Sequence, residues 1–190
     1  MIILGVDPGT LVTGYGVIES RSAGQNGRTN VLACDAIKNN SATPLPLRLK
    51  KIFETLSEVI DEYHPDELAL ETAFYGKNAQ SALKLGHARG VAMLAAVSHD
   101  IPTHEYSPRE VKKSVVGNGA ASKQQVQFMV KSLLRLKVVP KYFDTTDALA
   151  VAMCHLNRIG SGKNSSHKSW KSFVTAHPEK ISSLSRRLTK

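Results

Sequence analysis

No CxxC pair and no Cys/His zinc spacing occurs in this chain, and its two cysteines, Cys34 and Cys154, stand alone in apolar segments. Disulfides and structural zinc are therefore not expected, and a reducing cytoplasm fits best. No apolar run approaches the roughly 20 residues of a membrane span. The N-terminus lacks the basic region of a signal peptide, and an acid, Asp7, interrupts its apolar stretch. No internal repeat is visible, and no GK[ST] follows the glycines of "GTLVTGYG", so a phosphate loop is not indicated. A Rossmann fingerprint is not indicated either, because a strand rather than a helix follows those glycines.

What is present is an ordinary globular composition with a basic excess. The 190 residues are 42% hydrophobic and 22% charged, enough for one domain with a real core. The formal net charge of +9 points to an anionic partner, of which nucleic acid is the commonest. Residues 161–190 account for +6 of that charge and the body for only +3. The expected division is a folded domain over 1–160 and a basic, Ser/Lys-rich, loosely ordered tail over 161–190.

Along the body, Ile2–Val6, Gly14–Glu19 and Val31–Ile37 are three successive strands with short links, an antiparallel meander. Leu45, Leu49, Ile52, Phe53, Leu56, Val59 and Ile60 recur at helical spacing after a start signal at Thr43 and Pro44. Asp66–Glu71 is a strand, Asn78–His99 an Ala-rich helix, and "IPTHEYS" a fifth strand. A short helix carries Arg109–Val115, and Gly117 and Gly119 break it. Ser122 and Gln125 form a capping box for the next helix, and a last helix begins at about Asp144. Three strands followed by alternation predict an α/β fold, a mixed sheet with helices on both faces.

Two predicted strands end in acids, Asp7 and Glu71, and Asp144 and Asp147 share one face at the start of the last helix. If the first and fourth strands are parallel neighbours, the first two acids leave the sheet at one edge, where open α/β sheets bind ligands. Converging carboxylates repel unless a cation offsets them, and hard oxygen donors suit Mg²⁺ or Mn²⁺. Taken singly, each acid has an ordinary explanation. Asp144 and Asp147 could cap their helix, Asp7 could be a turn residue, and Glu71, like Glu67 nearby, a solvated strand residue. The glycines after Asp7 fit the turn between the first two strands.

Lys112, Lys113 and Lys123 flank the Gly117–Gly119 break, either as a solvated face or as phosphate contacts. Phe74 follows Glu71 in a loop with Lys77, where an aromatic folds onto the core or stacks on an unpaired base. His155, eight residues after Asp147, is expected in a core or supporting role rather than as a ligand. Ala82, Gly86 and Gly90 form a small-residue stripe expected to pack within the chain, with a dimer contact as the alternative.

The stretches "GVDPGTLVTGYGVIE", "LALETAFYGKNAQSALKLGHARGVA", "PREVKKSVVGNGAASKQQVQ" and "DTTDALAVAMCH" together resemble the RuvC family of Holliday-junction resolvases, within the RNase H-like superfamily. The resemblance spans roughly residues 1–157. It implies an RNase H-like fold, a five-stranded mixed sheet with three antiparallel strands first and helices on both faces. It also implies a homodimer that nicks four-way DNA junctions symmetrically, leaving 5′-phosphate and 3′-hydroxyl ends. Two Mg²⁺ ions per site, with Mn²⁺ as substitute, and the RuvA–RuvB branch-migration complex as partner follow from the same likeness.

By position, the family's catalytic and metal-binding acids fall on Asp7, Glu71, Asp144 and Asp147. Its functional lysines fall on Lys112 and Lys123, and its junction-probing aromatic on Phe74; Lys77 and Lys113 join them as DNA-binding candidates. Thr72 departs from the Gln that commonly follows the catalytic Glu, and the basic tail after about Ser161 matches none of the family's motifs, which leaves its role open. Two other classes compete. An actin-like nucleotide-binding enzyme opens with a similar first motif but needs a second Gly-rich turn in a much longer chain. A DNA-binding module without catalysis would explain the tail but not the converging acids.

Overall fold

The computed structural model describes residues 1–21, 29–72, 79–138 and 140–160. Phe74, Lys77 and the basic segment 161–190 lie outside the described residues. The elements in chain order are β1 (Ile2–Asp7), β2 (Val12–Ser20), β3 (Thr29–Lys38), α1 (Leu45–Tyr63) and β4 (Glu67–Glu71). They continue with α2 (Ala79–Val97), β5 (Thr103–Tyr106), α3 (Pro108–Val116), α4 (Lys123–Leu133) and α5 (Phe143–Gly160).

The sheet has five strands in the order β3-β2-β1-β4-β5. β1, β2 and β3 form the expected antiparallel meander. β4 pairs parallel with β1, and β5 parallel with β4, because the helical connections α1 and α2 return the chain to the same end of the sheet. Alternation along the strands divides the core in two. Leu4, Val6, Val17, Leu68 and Leu70 face α1 and α2. Ile3, Ile18, Ala69 and Tyr106 face α3, α4 and α5.

Local chemistry sets the helix starts. Ser107 and Glu110 make a reciprocal capping box at α3, and Ser122 and Gln125 make the expected one at α4. Gly117 ends α3 with φ of 83°, a left-handed cap that favours glycine. At α1, Pro44 occupies the N-cap position and no side chain caps the helix, so Thr43 does not supply the start signal expected of it.

α5 lies directly on β1 and β2, and the strand glycines are the reason. A Cβ at Gly5 would collide with the carbonyl of Ala148, one at Gly14 with the carbonyl of Asp144, and one at Gly16 with the side chain of Leu149. Gly5, Gly14 and Gly16 sit inside the strands expected to carry them and form the seat of α5, and of the glycines after Asp7 Gly9 alone lies in the turn between β1 and β2. The turn itself is tied by Thr13, whose hydroxyl donates to the Gly9 carbonyl at 2.6 Å and accepts from the Gly9 amide at 3.3 Å.

A second correction concerns α2. Space is open within 4 Å of where a Cβ would stand at Gly86 and Gly90. Gly86 and Gly90 of the small-residue stripe therefore face outward instead of packing within the chain, Ala82 is half-buried, and the buried face of α2 is formed by Ala88, Ala92, Ala95 and Ala96.

Candidate active site

Val6 of β1 is in register with Leu70 of β4, so the next residue of each strand, Asp7 and Glu71, leaves the sheet at the same C-terminal edge. Each is two residues on from a residue that faces α5, Gly5 and Ala69, so pleating turns both acids toward that helix. The close seating of α5 then brings Asp147 down beside them. Asp7, Glu71 and Asp147 line one cavity of about 270 Å³ together with Thr72, Lys112 and Lys123. Apolar walls come from Leu85 of α2, Val111 of α3 and Val126 of α4.

Asp144 stands one turn before Asp147 and does not line the cavity, but its charge acts on Asp7, Asp147 and Lys123. The Lys123 ammonium donates to the Asp147 carboxylate at 3.1 Å. Lys112 lines the cavity, whereas Lys113, one residue along α3, is exposed and does not. Thr72 donates its amide to the Tyr106 carbonyl at 2.8 Å, which anchors the end of β4 to β5 just beyond Glu71.

The electrostatics are those of acids crowded without enough positive charge. Burial, then the negative charges of Glu71, Asp147 and Asp144, push the Asp7 carboxyl up to about 8, against the pull of Lys123. Burial and the neighbouring Asp147 push Glu71 up to about 7, with Lys123 and Lys112 pulling the other way. Asp147 is also raised, chiefly by burial. Burial works to lower Lys123, but Asp147, Asp7 and Asp144 outweigh it and hold its pKa above the ordinary lysine value. Among the described residues one ammonium, that of Lys123, pairs directly with this group and does not neutralise it, and the acids offer carboxylate oxygens, which is the donor chemistry a hard divalent cation requires.

A pH dependence follows. Both Asp7 and Glu71 bind protons more tightly folded than unfolded, where they would titrate near 3.8 and 4.5. The folded state holds the extra protons between about pH 4 and pH 8, so stability without cations falls as pH rises through that window. Urea midpoints in EDTA should decline from pH 4.5 to pH 8, and adding Mg²⁺ should flatten the decline. A midpoint that rises with pH in EDTA would contradict the crowding of these acids.

A second polar cluster lies at the other end of β4. Glu67 is not the solvated residue expected from the sequence. Its Oε2 is 2.6 Å from His155 Nε2 and 2.8 Å from His104 Nε2. His155 is buried, as expected for a core or supporting residue, and its Nδ1 lies 2.6 Å from the Tyr106 hydroxyl. The overlooked signal is parity: Glu67 has the same phase in β4 as Glu71, and so faces α5 too.

Comparison with known proteins places this geometry among relatives. The family profile for crossover junction endodeoxyribonuclease RuvC matches residues 3–155. The crossover junction endodeoxyribonuclease RuvC of Salinibacter ruber is 47% identical over 182 residues, covering 96% of this chain and 99% of the relative. The Thermus thermophilus RuvC structure is similar with a TM-score of 0.78 at 30% identity, covering 85% of this chain and 97% of that one. T. thermophilus RuvC in complex with a Holliday junction substrate is similar with a TM-score of 0.76 at 28% identity, over 85% and 97% of the two chains.

Proposed function

The chain belongs to the RuvC family of crossover junction endodeoxyribonucleases, and we propose that it resolves four-way DNA junctions by paired, metal-dependent nicking during recombination and repair. The observation that carries this reading is the meeting of Asp7, Glu71 and Asp147 in one lysine-rimmed cavity, with Asp144 beside it. The nuclease domain is assigned to residues 1–160, and residues 161–190 contribute +6 of the net charge.

In this reading Asp7, Glu71, Asp144 and Asp147 hold two Mg²⁺ ions, for which Mn²⁺ can substitute. When bound, the ions supply an activated water and charge stabilisation for in-line displacement at phosphorus, giving 5′-phosphate and 3′-hydroxyl ends. The protein's own part is positioning. Asp7 and Glu71 are held by paired strands, and Asp144 and Asp147 by a helix seated closely on the strand glycines. Lys123 and Lys112 rim the cavity as ammonium groups able to hold the phosphate backbone. Phe74, Lys77 and Lys113 are further DNA contacts in this proposal, with Phe74 stacking at the junction.

A homodimer through α2 fits the outward small-residue stripe. Leu83, Leu94 and Val97 flank Gly86 and Gly90 and are 62%, 56% and 61% exposed. Leu83, Gly90, Leu94 and Val97 recur at helical spacing, so a second copy could bury a continuous apolar ridge with close backbone approach. Among the described residues no helix is long and apolar enough to cross a membrane, which is compatible with work in the bacterial cytoplasm beside RuvA–RuvB.

The test is incubation with synthetic four-way and linear duplex DNA, in Mg²⁺ or in EDTA, mapping the nicks. Symmetric nicks in two strands of like polarity, on the four-way substrate and in Mg²⁺ alone, are expected. Equal cutting of linear duplex, or nicking in EDTA, would overturn the reading.

A further inference from the structure

The Glu67 cluster is separate from the acidic cavity. Glu67 and Glu71 stand four residues apart on β4, about 13 Å along an extended strand. Glu67, His104 and His155 each offer one ligand atom, and these atoms lie within 4.8 Å of one another. They come from three elements, β4, β5 and α5. The two imidazole rings stack with centroids 4.5 Å apart, and both turn Nε2 toward the same carboxylate oxygen. His155 is enclosed, while the His104 side chain is 43% exposed, so the cluster is walled on one side and open to water on the other.

Hydrogen bonds alone can hold this trio, with each Nε2–H donating to Glu67. The arrangement also meets the requirements of a metal centre. Two imidazoles and one carboxylate are a donor set suited to Zn²⁺ and its neighbours Co²⁺ and Ni²⁺, with a fourth position left for water. His155 also has the outer partner that metal-bound histidines use, the Tyr106 hydroxyl on Nδ1. A hydroxyl can take either role. With the Nε2 proton present, Tyr106 donates to Nδ1; with Nε2 on a metal, Nδ1–H donates to Tyr106. Metal bonds of about 2.0–2.1 Å need donors roughly 3.3 Å apart, so the present 2.6 and 2.8 Å contacts need to open by about 0.7 and about 0.5 Å.

We propose that Glu67, His104 and His155 form a Zn²⁺-class metal site, distinct from the acidic cavity, that ties the C-terminal half of α5 to β4 and β5. No local sequence spacing marks such a site, because its donors are 37 or more residues apart. The bound ion would brace the same strand and helix that carry Glu71 and Asp147, without entering the chemistry there.

The test uses the full chain carrying Asp7→Asn, which weakens cation binding in the acidic cavity. Titration with Co²⁺ should give visible absorption of four-coordinate character that saturates at one equivalent. Zn²⁺ should displace it, excess Mg²⁺ should not, and Zn²⁺ should raise the thermal unfolding midpoint. Adding His104→Phe should abolish both signals while leaving the metal-free midpoint nearly unchanged, since that side chain is half exposed. Glu67→Gln, which keeps the shape, serves as the second variant should the first fail to fold. Tyr106→Phe should weaken Zn²⁺ binding about tenfold or more. Absence of stoichiometric Co²⁺ uptake, or uptake and stabilisation unchanged in both His104→Phe and Glu67→Gln, would overturn the site.

Discussion

Asp7→Asn should lower the rate of junction nicking on the order of 10³-fold or more while leaving junction binding in EDTA intact. Asn keeps the volume and the β1 pairing but removes the charge that Glu71, Asp147 and Asp144 all act on. The same substitution should stabilise the protein in EDTA near pH 8. Asp7 titrates at about 8 when folded, so above the unfolded value near 4 its proton demand works against folding, and a neutral amide relieves that demand. A variant that gains stability as it loses activity is the signature of a site crowded for function. The measurements are single-turnover nicking of a labelled four-way junction, gel-shift binding in EDTA, and urea unfolding at pH 8. Nicking within a few-fold of wild type would remove Asp7 from the site.

Gly14→Ala should destabilise the fold by roughly 2–3 kcal/mol and slow nicking by about 10²-fold. The added methyl meets the backbone of Asp144 and Thr145, which no side-chain rotation can clear. Either β2 bends or the N-terminal turn of α5 lifts. Lifting carries Asp144 and Asp147 away from Asp7, and displacements near 1 Å are enough to cost that much in rate. Gly86→Ala is the contrast. It adds the same methyl on a helix with open space around it, where Ala is the better helix former, and should be neutral or stabilising in the monomer by up to about 1 kcal/mol. Chemical denaturation of the two variants side by side separates the effect of the seat from the loss of a glycine as such. Equal behaviour of the pair would refute the seating of α5 on Gly14.

Much of this architecture follows from short-range patterns. Apolar runs mark β1 and β4, helical spacing marks α1, and Ser122 with Gln125 announces the start of α4. The acids of the candidate site stand out because carboxylates at the ends of apolar strands are expensive unless something compensates them. The purpose of Gly14 and Gly16 is not legible along the chain, because a strand glycine shows its role only once a helix is placed over it. The outward face of Gly86 and Gly90 is equally hidden along the chain, since a small residue suits a close neighbour and open space alike. Glu67 reads as a solvated residue along the chain because its partners His104 and His155 lie 37 and 88 residues away.

The division has a physical basis. Element type, strand ends, caps and the excess of basic charge depend on residues within a turn or two, so they are legible along the chain. Which side chains meet depends on the parallel register of β1 with β4 and on how closely α5 approaches the sheet. Those are long-range contacts between distant pieces of the chain, such as Asp7 and Asp147, 140 residues apart. The four acids could be named as candidates from their positions, but their crowding, the raised protonation of Asp7 and Glu71, and the Glu67–His104–His155 cluster exist only once the helix is seated on its glycines.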